Sequence, residues 1–164
     1  LMAQPIVMAL VAFPAGRLSD RIGTRGLATG GMLVLAAGLA GLSPLGPDAR
    51  TPAVASWLAV MGLGMGTFVS PNSSTLMGAS PRDRQGAAGS VLAEARILGM
   101  LIGVALAASI FHAAGGHTER PEGALPAGPS WTGVEFAAMR LALLAGALIT
   151  IAGAVFAGLR PKAP

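Results

Sequence analysis

Residues 51–81 read TPAVASWLAVMGLGMGTFVSPNSSTLMGASP, a run of 31 residues without Asp, Glu, Lys or Arg. A helix needs roughly 20 apolar residues to cross a ~30 Å hydrocarbon core. Only 11% of the 164 residues are charged and 53% are hydrophobic, whereas about 25% are charged in an ordinary soluble domain. The pattern predicts a polytopic membrane protein. Four further uncharged runs lie at residues 1–16, 26–47, 97–118 and 141–159.

The predicted fold class is all-α, a transmembrane helix bundle of about five spans over residues 1–164 with no soluble domain. Helices are expected because backbone polar groups in lipid must be satisfied within their own segment. The first run is only ~24 Å long as a helix, and we interpret it as a helix whose beginning is missing. No basic residue precedes Arg17, which disfavours a signal peptide. The predicted spans are residues 1–16, 27–45, 53–78, 86–113 and 134–159.

The loops between these spans differ in basic residues. Because basic residues accumulate on the cytoplasmic side of a membrane, the first and third loops and the C-terminus are predicted to be cytoplasmic. The predicted location is the cell (inner) membrane, with membrane lipids as partners. The net charge of +4 forms no single basic patch, so nucleic acid is not expected as a partner. The cytoplasmic set is Arg17, Arg21, Arg25, Arg82, Arg84, Arg160 and Lys162, against Arg50 and Arg120 on the other side.

Soluble-enzyme and metal chemistry find no support in the sequence. The chain has no cysteine, which excludes disulfides and thiolate metal sites. Its two histidines are not accompanied by enough other ligands for a metal centre. It has no phosphate-binding Walker loop, and no Ser, His and Asp converge at a water-facing position. We therefore expect no enzyme activity, no cofactor and no metal.

The first loop carries the most specific pattern, GRLSDRIGTRG at residues 16–26. Gly16 and Gly23 permit close backbone approach and unusual dihedral angles. Asp20 is well placed to meet a helix N-terminus, whose dipole favours an anion. Arg21 and Arg25 are suited to pairing with carboxylates or anionic lipid headgroups. Charge alone would make this a basic loop that obeys the orientation rule.

The full spacing resembles the G-x-L-[AS]-D-[RK]-x-G-x-[RK]-[RK] loop motif of the major facilitator superfamily. That motif joins the second and third helices, and a weaker copy often joins the eighth and ninth. Gly26 departs from it at the last basic position. With four more helices after the motif, the resemblance implies the C-terminal part of such a transporter, whose N-terminal helices are missing partners. The matching residues are Gly16, Leu18, Ser19, Asp20, Arg21, Gly23 and Arg25.

A second resemblance concerns the branch of that superfamily. Residues 62–71 read GLGMGTFVSP, residues 85–90 read QGAAGS and residues 95–103 read ARILGMLIG. This arrangement is similar to the C-terminal helices of the fourteen-helix drug:proton antiporters. The resemblance implies efflux of a small amphipathic substrate in exchange for protons.

Glycines and one proline mark the predicted helix contacts. Gly62 with Gly66, and Gly99 with Gly103, form G-x-x-x-G pairs, which let transmembrane helices touch backbone to backbone. Pro71 removes the hydrogen bond to the Thr67 carbonyl and is expected to kink its helix. The polar residues from Asn72 to Thr75 either satisfy that broken backbone or line a polar cavity.

Glu94 and Arg96 are the ionisable residues placed deepest in a predicted span, roughly 12 and 15 Å from its start. They lie about 200° apart on the helix and do not pair with each other. Arg96 shares a face with Gly99 and Gly103. Three interpretations remain open: both lie near the headgroups, both pair with helices outside this chain, or Glu94 carries protons in transport. Snorkelling to the interface accounts for Arg140.

The functional prediction is therefore a secondary active transporter, with proton-coupled efflux of drugs or other amphipathic compounds. Two alternatives stay open. One is a metabolite importer of the same superfamily, which would line its path with more polar side chains. The other is a truncated, non-transporting membrane remnant, since five helices cannot enclose a midplane site between two six-helix halves.

Overall fold

The computed structural model describes residues 2–46, 48–116 and 133–159, with the backbone alone for residues 20–22. Within these ranges the chain is all-α and contains no strand, as the fold prediction states. A short 3₁₀ turn at Arg82–Arg84 precedes the fourth helix. The five helices are α1 (Ala3–Ile22), α2 (Thr24–Leu42), α3 (Thr51–Gly78), α4 (Gln85–Ala113) and α5 (Gly133–Leu159).

Four helical segments are long and apolar enough to cross a membrane: Thr24–Leu42, Thr51–Gly78, Arg82–Ala113 and Gly133–Leu159. The first helix is not among them, although its 20 residues form a continuous helix. Charged residues occupy its last two turns, so its apolar part is shorter than its helical part. The helix thus continues six residues beyond the predicted end of the first span at residue 16.

The first connection is accordingly much shorter than a loop at residues 17–26. Gly23 alone separates α1 from α2, and its φ of 89° and ψ of 147° reverse the chain direction. The Gly23 amide donates a hydrogen bond of 2.9 Å to the Ser19 carbonyl, which closes the last turn of α1. Charged side chains do not break a helix when water solvates them, so most of the motif is helical.

Small residues bring α2 and α3 into backbone contact. A Cβ atom built on Gly64 would lie 2.5 Å from the Leu35 amide nitrogen and 2.7 Å from the Gly31 carbonyl oxygen. A Cβ on Gly31 would lie 2.8 Å from both the Gly64 carbonyl oxygen and the Phe68 amide nitrogen. Towards the other end of α2, Gly38 faces Met61. The two helices are therefore antiparallel and touch where neither has a side chain.

The opposite side of α3 packs on α1 in the same way. Gly62 and Gly66, the first predicted pair, face the backbone carbonyls of Gln4 and Met8. A Cβ on Gly66 would lie 2.9 Å from the Met8 oxygen. Because both numbers rise together along the two helices, α1 and α3 are parallel. The α3 helix is thus held between α1 and α2.

The helix α5 runs antiparallel along α2, on the side away from α3. Its Gly153 lies opposite Met32 and its Gly158 opposite Thr29. The neighbours therefore follow the order α1, α3, α2, α5, α4, with α4 packed mainly on α5. The buried apolar side chains are mostly alanines, so helix contact here depends on close approach rather than on large interlocking side chains.

Replacing Gly23 with alanine is expected to lower the free energy of unfolding by about 1–3 kcal/mol, because residues that have a Cβ atom rarely adopt the backbone dihedral angles of Gly23. Nothing lies within 4 Å of a Cβ at Gly23, so backbone strain alone causes the loss. The matched control is Gly26→Ala, a helical position that is equally free of neighbours. Titration of both variants with a denaturing detergent measures the difference in their free energies of unfolding. Equal stability would contradict the conformation described for Gly23.

Candidate functional site

The motif residues lie where α1 ends and α2 begins, beside α3. A Cβ built on Gly16 would lie 3.1 Å from the Ser70 hydroxyl, so Gly16 lets α1 approach α3 closely. Ser19 is only 2% exposed, and its hydroxyl has no hydrogen-bond partner among the described residues. Leu18 is 46% exposed, and Arg25 is exposed at the start of α2. The motif therefore has one face against α3 and one face open.

Asp20 and Arg21 lie in the last turn of α1, and their side chains are outside the described part. The C-terminal end of a helix carries a partial negative charge, which disfavours a carboxylate there. Asp20 therefore gains nothing from its own helix. A partner that stabilises its charge has to come from another helix N-terminus or from a basic side chain. Arg17, one turn earlier, places its guanidinium carbon 4.6 Å from the Phe13 ring centre.

Pro71 lies inside α3 and is fully buried, yet α3 is continuous from Thr51 to Gly78. The hydroxyls of Ser74 and Thr75 donate to the Pro71 carbonyl at 3.1 and 2.8 Å. These described bonds do not reach the carbonyl of Thr67 that Pro71 releases. The Asn72 side chain is exposed. The hydroxyls thus satisfy a backbone carbonyl near the proline. Asn72 contributes no hydrogen bond to this repair of the backbone among the described residues.

The helix α4 has a very different environment. None of its 29 residues is buried within the described part of the chain. Glu94 and Arg96 are both exposed. The ion pair found among the described residues joins Asp83 and Arg84 at 3.8 Å and involves neither Glu94 nor Arg96. The described helices therefore leave the two charged residues uncompensated.

The second predicted packing pair also lies on α4. No atom lies within 4 Å of a Cβ built on Gly99 or on Gly103. The described helices place no atom against Gly99 or Gly103, whereas Gly62 and Gly66 face α1, so packing at Gly99 and Gly103 stays a prediction. The reason is position, since α4 lies at the end of the row and packs mainly on α5. The face of α4 that carries Arg96, Gly99 and Gly103 is thus not covered by any described helix.

Sequence reasoning missed the contact of Gly31 with Gly64, where the backbones of α2 and α3 approach closely. A signal was available, because Gly31 and Gly38 lie seven residues apart and so share a face of α2. The predicted packing pairs rest on four-residue spacing alone. Among the described residues, no group of three or more His, Cys, Asp or Glu is placed to hold a metal ion.

Glycine-packed helices of which four can cross a membrane define an integral membrane protein of the helix-bundle class. The chain belongs to the Major Facilitator Superfamily, whose family profile matches residues 1–164. The partial helix bundle described above is part of that fold.

Three curated relatives indicate what kind of proteins this chain resembles. It is 36% identical over 107 residues to the riboflavin transporter RibZ of Clostridioides difficile, which covers 65% of this chain and 24% of that protein. It is 29% identical over 161 residues to the uncharacterized transporter YebQ of Escherichia coli, covering 98% and 31%. It is 32% identical over 111 residues to a triacylglyceride transporter of Mycobacterium tuberculosis, covering 61% and 21%. The chain thus spans a fifth to a third of these relatives' length, and all three are named as transporters.

Proposed function

We propose that the chain is part of a secondary active transporter that expels small amphipathic compounds in exchange for protons, with its C-terminus in the cytoplasm. Family membership supports the transporter. The resemblance to drug:proton antiporters supports efflux, although the relatives' names specify riboflavin and triacylglycerides. Triacylglycerides are largely apolar, which suits helices as apolar as these, whereas riboflavin is the more polar of the two molecules. The helices of the same protein that lie outside this chain complete the transport path.

The observation that carries the proposal is the exposure of Glu94 and Arg96 on α4. A charged side chain facing lipid is costly, so ionisable residues within a span usually face protein or a water-filled cavity. The two residues lie on different sides of α4, and neither finds a partner in the described helices. We therefore propose that, in the membrane, other helices and the transport path surround α4. Glu94 is the proton carrier in this proposal, and Arg96 and Asn72 line the path.

A metabolite importer on the same scaffold fits these observations no better. Such a path would be expected to carry more polar and charged side chains than α3 and α4 provide. The bundle contacts through Gly62 and Gly66 serve either direction of transport. In both cases transport requires two bundles to rock around a midplane site, and the contact of α1 with α3 lies inside one of these bundles.

Replacing Glu94 with glutamine is expected to reduce pH-gradient-driven transport by about tenfold or more, because a glutamine side chain does not take up and release a proton as a carboxylate does. Substrate counterflow needs no net proton movement and should persist. The assay uses everted membrane vesicles and two probes, riboflavin and ethidium. Glu135→Gln, near the start of α5, is the matched control and should transport normally. Unchanged gradient-driven transport in Glu94→Gln at equal abundance would place Glu94 outside the coupling pathway.

A further inference from the structure

A cavity of about 380 Å³ lies where the end of α2 meets the start of α5. It is at the opposite end of α2 from the Gly23 connection, on the side predicted to be extracytoplasmic. Apolar, hydroxyl and guanidinium groups line it together. The lining residues used below are Ser43, Pro44 and Leu45 after α2, and Phe136, Ala137 and Arg140 on α5.

Arg140 is the charged residue of this cavity. It lies seven residues after Gly133, about 10 Å along α5 at ~1.5 Å per residue, and is therefore set below the helix end. Its side chain is exposed and forms no ion pair within the described chain. The acidic residue of the first turn, Glu135, is not among the lining residues. A guanidinium at this depth in a membrane requires an anionic partner or a path to water.

Ser43 supplies a second polar group. It is only 7% exposed, yet it lines the same cavity as Arg140. Its backbone amide is bonded to the Leu39 and Ala40 carbonyls at 3.2 and 3.3 Å. Its hydroxyl forms no hydrogen bond with any described residue. The hydroxyl is therefore free to bond a group that enters the cavity.

We infer that this cavity binds the phosphate group of an anionic phospholipid from the adjacent leaflet. The planar guanidinium of Arg140 matches a phosphate through two parallel hydrogen bonds, and the Ser43 hydroxyl donates a third. Leu45 and Phe136 provide an apolar wall for the glycerol and the upper acyl chain. A lipid is favoured over a soluble anion because a soluble anion has no apolar part to cover that wall. The inference depends on membrane insertion and not on the proposed transport activity.

The test measures lipid binding by native mass spectrometry of the complete protein in neutral detergent. Phosphatidylglycerol is titrated against phosphatidylcholine, and glycerol 3-phosphate serves as the soluble phosphate. We expect phosphatidylglycerol to bind preferentially and millimolar glycerol 3-phosphate not to displace it. Arg140→Gln should weaken phosphatidylglycerol binding about tenfold, since hydrogen bonds to charged groups are the strong ones. Arg50→Gln, an exposed arginine on the same side and outside the cavity, is the matched control and should bind as the unmodified protein does.

Equal phosphatidylglycerol affinity in Arg140→Gln and the unmodified protein would overturn the inference. Displacement by glycerol 3-phosphate would overturn the lipid assignment and identify a site for a soluble anion. Should Arg140→Gln fail to fold, Ser43→Ala decides the matter because it leaves the charge in place. A two- to threefold loss of affinity, about the worth of one hydrogen bond, is expected for Ser43→Ala, and unchanged affinity there would contradict the site.

Discussion

Replacing Gly64 with alanine lowers the free energy of unfolding by about 2–3 kcal/mol, the upper range for overpacking one methyl group in a tight core. The new Cβ would meet the Leu35 amide nitrogen at 2.5 Å, the Gly31 carbonyl oxygen at 2.7 Å and the Leu35 Cα at 2.9 Å. All three are backbone atoms, so no side chain can rotate away. The helices α2 and α3 must separate, and they lose contacts along their length. Unfolding of the purified protein in mixed micelles, followed by helical circular dichroism, measures the loss.

The matched control is Gly30→Ala, one residue from the contact partner Gly31. Gly30 is exposed and helical, and nothing lies within 4 Å of a Cβ built there. Alanine is a better helix former than glycine by about 1 kcal/mol, so this variant should be as stable as the unmodified protein or slightly more stable. Equal stability of Gly64→Ala and Gly30→Ala would show that α2 and α3 do not meet as described.

Replacing Asp20 with alanine should impair transport about tenfold or more while leaving membrane insertion unchanged. Asp20 lies in the last turn of α1, where the helix dipole disfavours a carboxylate. A charge kept at such a position is stabilised by a group on another element, and hydrogen bonds to charged groups are worth about 1.5–3 kcal/mol. Losing that partner shifts the balance between the conformations that alternate during transport. The measurement is initial transport rate in vesicles that contain equal amounts of each variant.

Two further variants separate this role from general charge loss. Asp20→Glu retains the carboxylate and should recover part of the rate. Asp48→Ala removes an exposed carboxylate at the other end of α2 and should transport normally. Unchanged transport in Asp20→Ala at equal membrane abundance would remove Asp20 from the mechanism, although the structure at Gly23 would stand.

The all-α fold was accessible from the sequence because uncharged runs of 19–31 residues have few physical solutions other than membrane helices. The first connection was harder to predict. Arginine and aspartate indicated a loop, whereas α1 remains helical to Ile22 and a single glycine turns the chain. The first charged residue, Arg17, marks the end of the apolar span, whereas the backbone conformation of Gly23 marks the end of the helix. The two boundaries differ by about two turns in α1.

Packing was only partly predictable. A G-x-x-x-G pair indicates that close approach is possible, but it does not name the neighbour. Gly62 and Gly66 meet α1, while Gly99 and Gly103 meet nothing described. The position of α4 at the end of the row made this difference, and the order of helices in space is not encoded in a local spacing. The cavity at Ser43 and Arg140 was missed for the same reason, because its two sides are about a hundred residues apart in the chain.

The most direct test of the central claim is transport by the complete protein reconstituted into liposomes with an imposed pH gradient, acidic inside. We expect riboflavin or ethidium to accumulate in the lumen only while the gradient is present. A proton ionophore should abolish that accumulation. Failure of both compounds to accumulate, with protein that is fully inserted, would contradict proton-coupled export of amphipathic compounds.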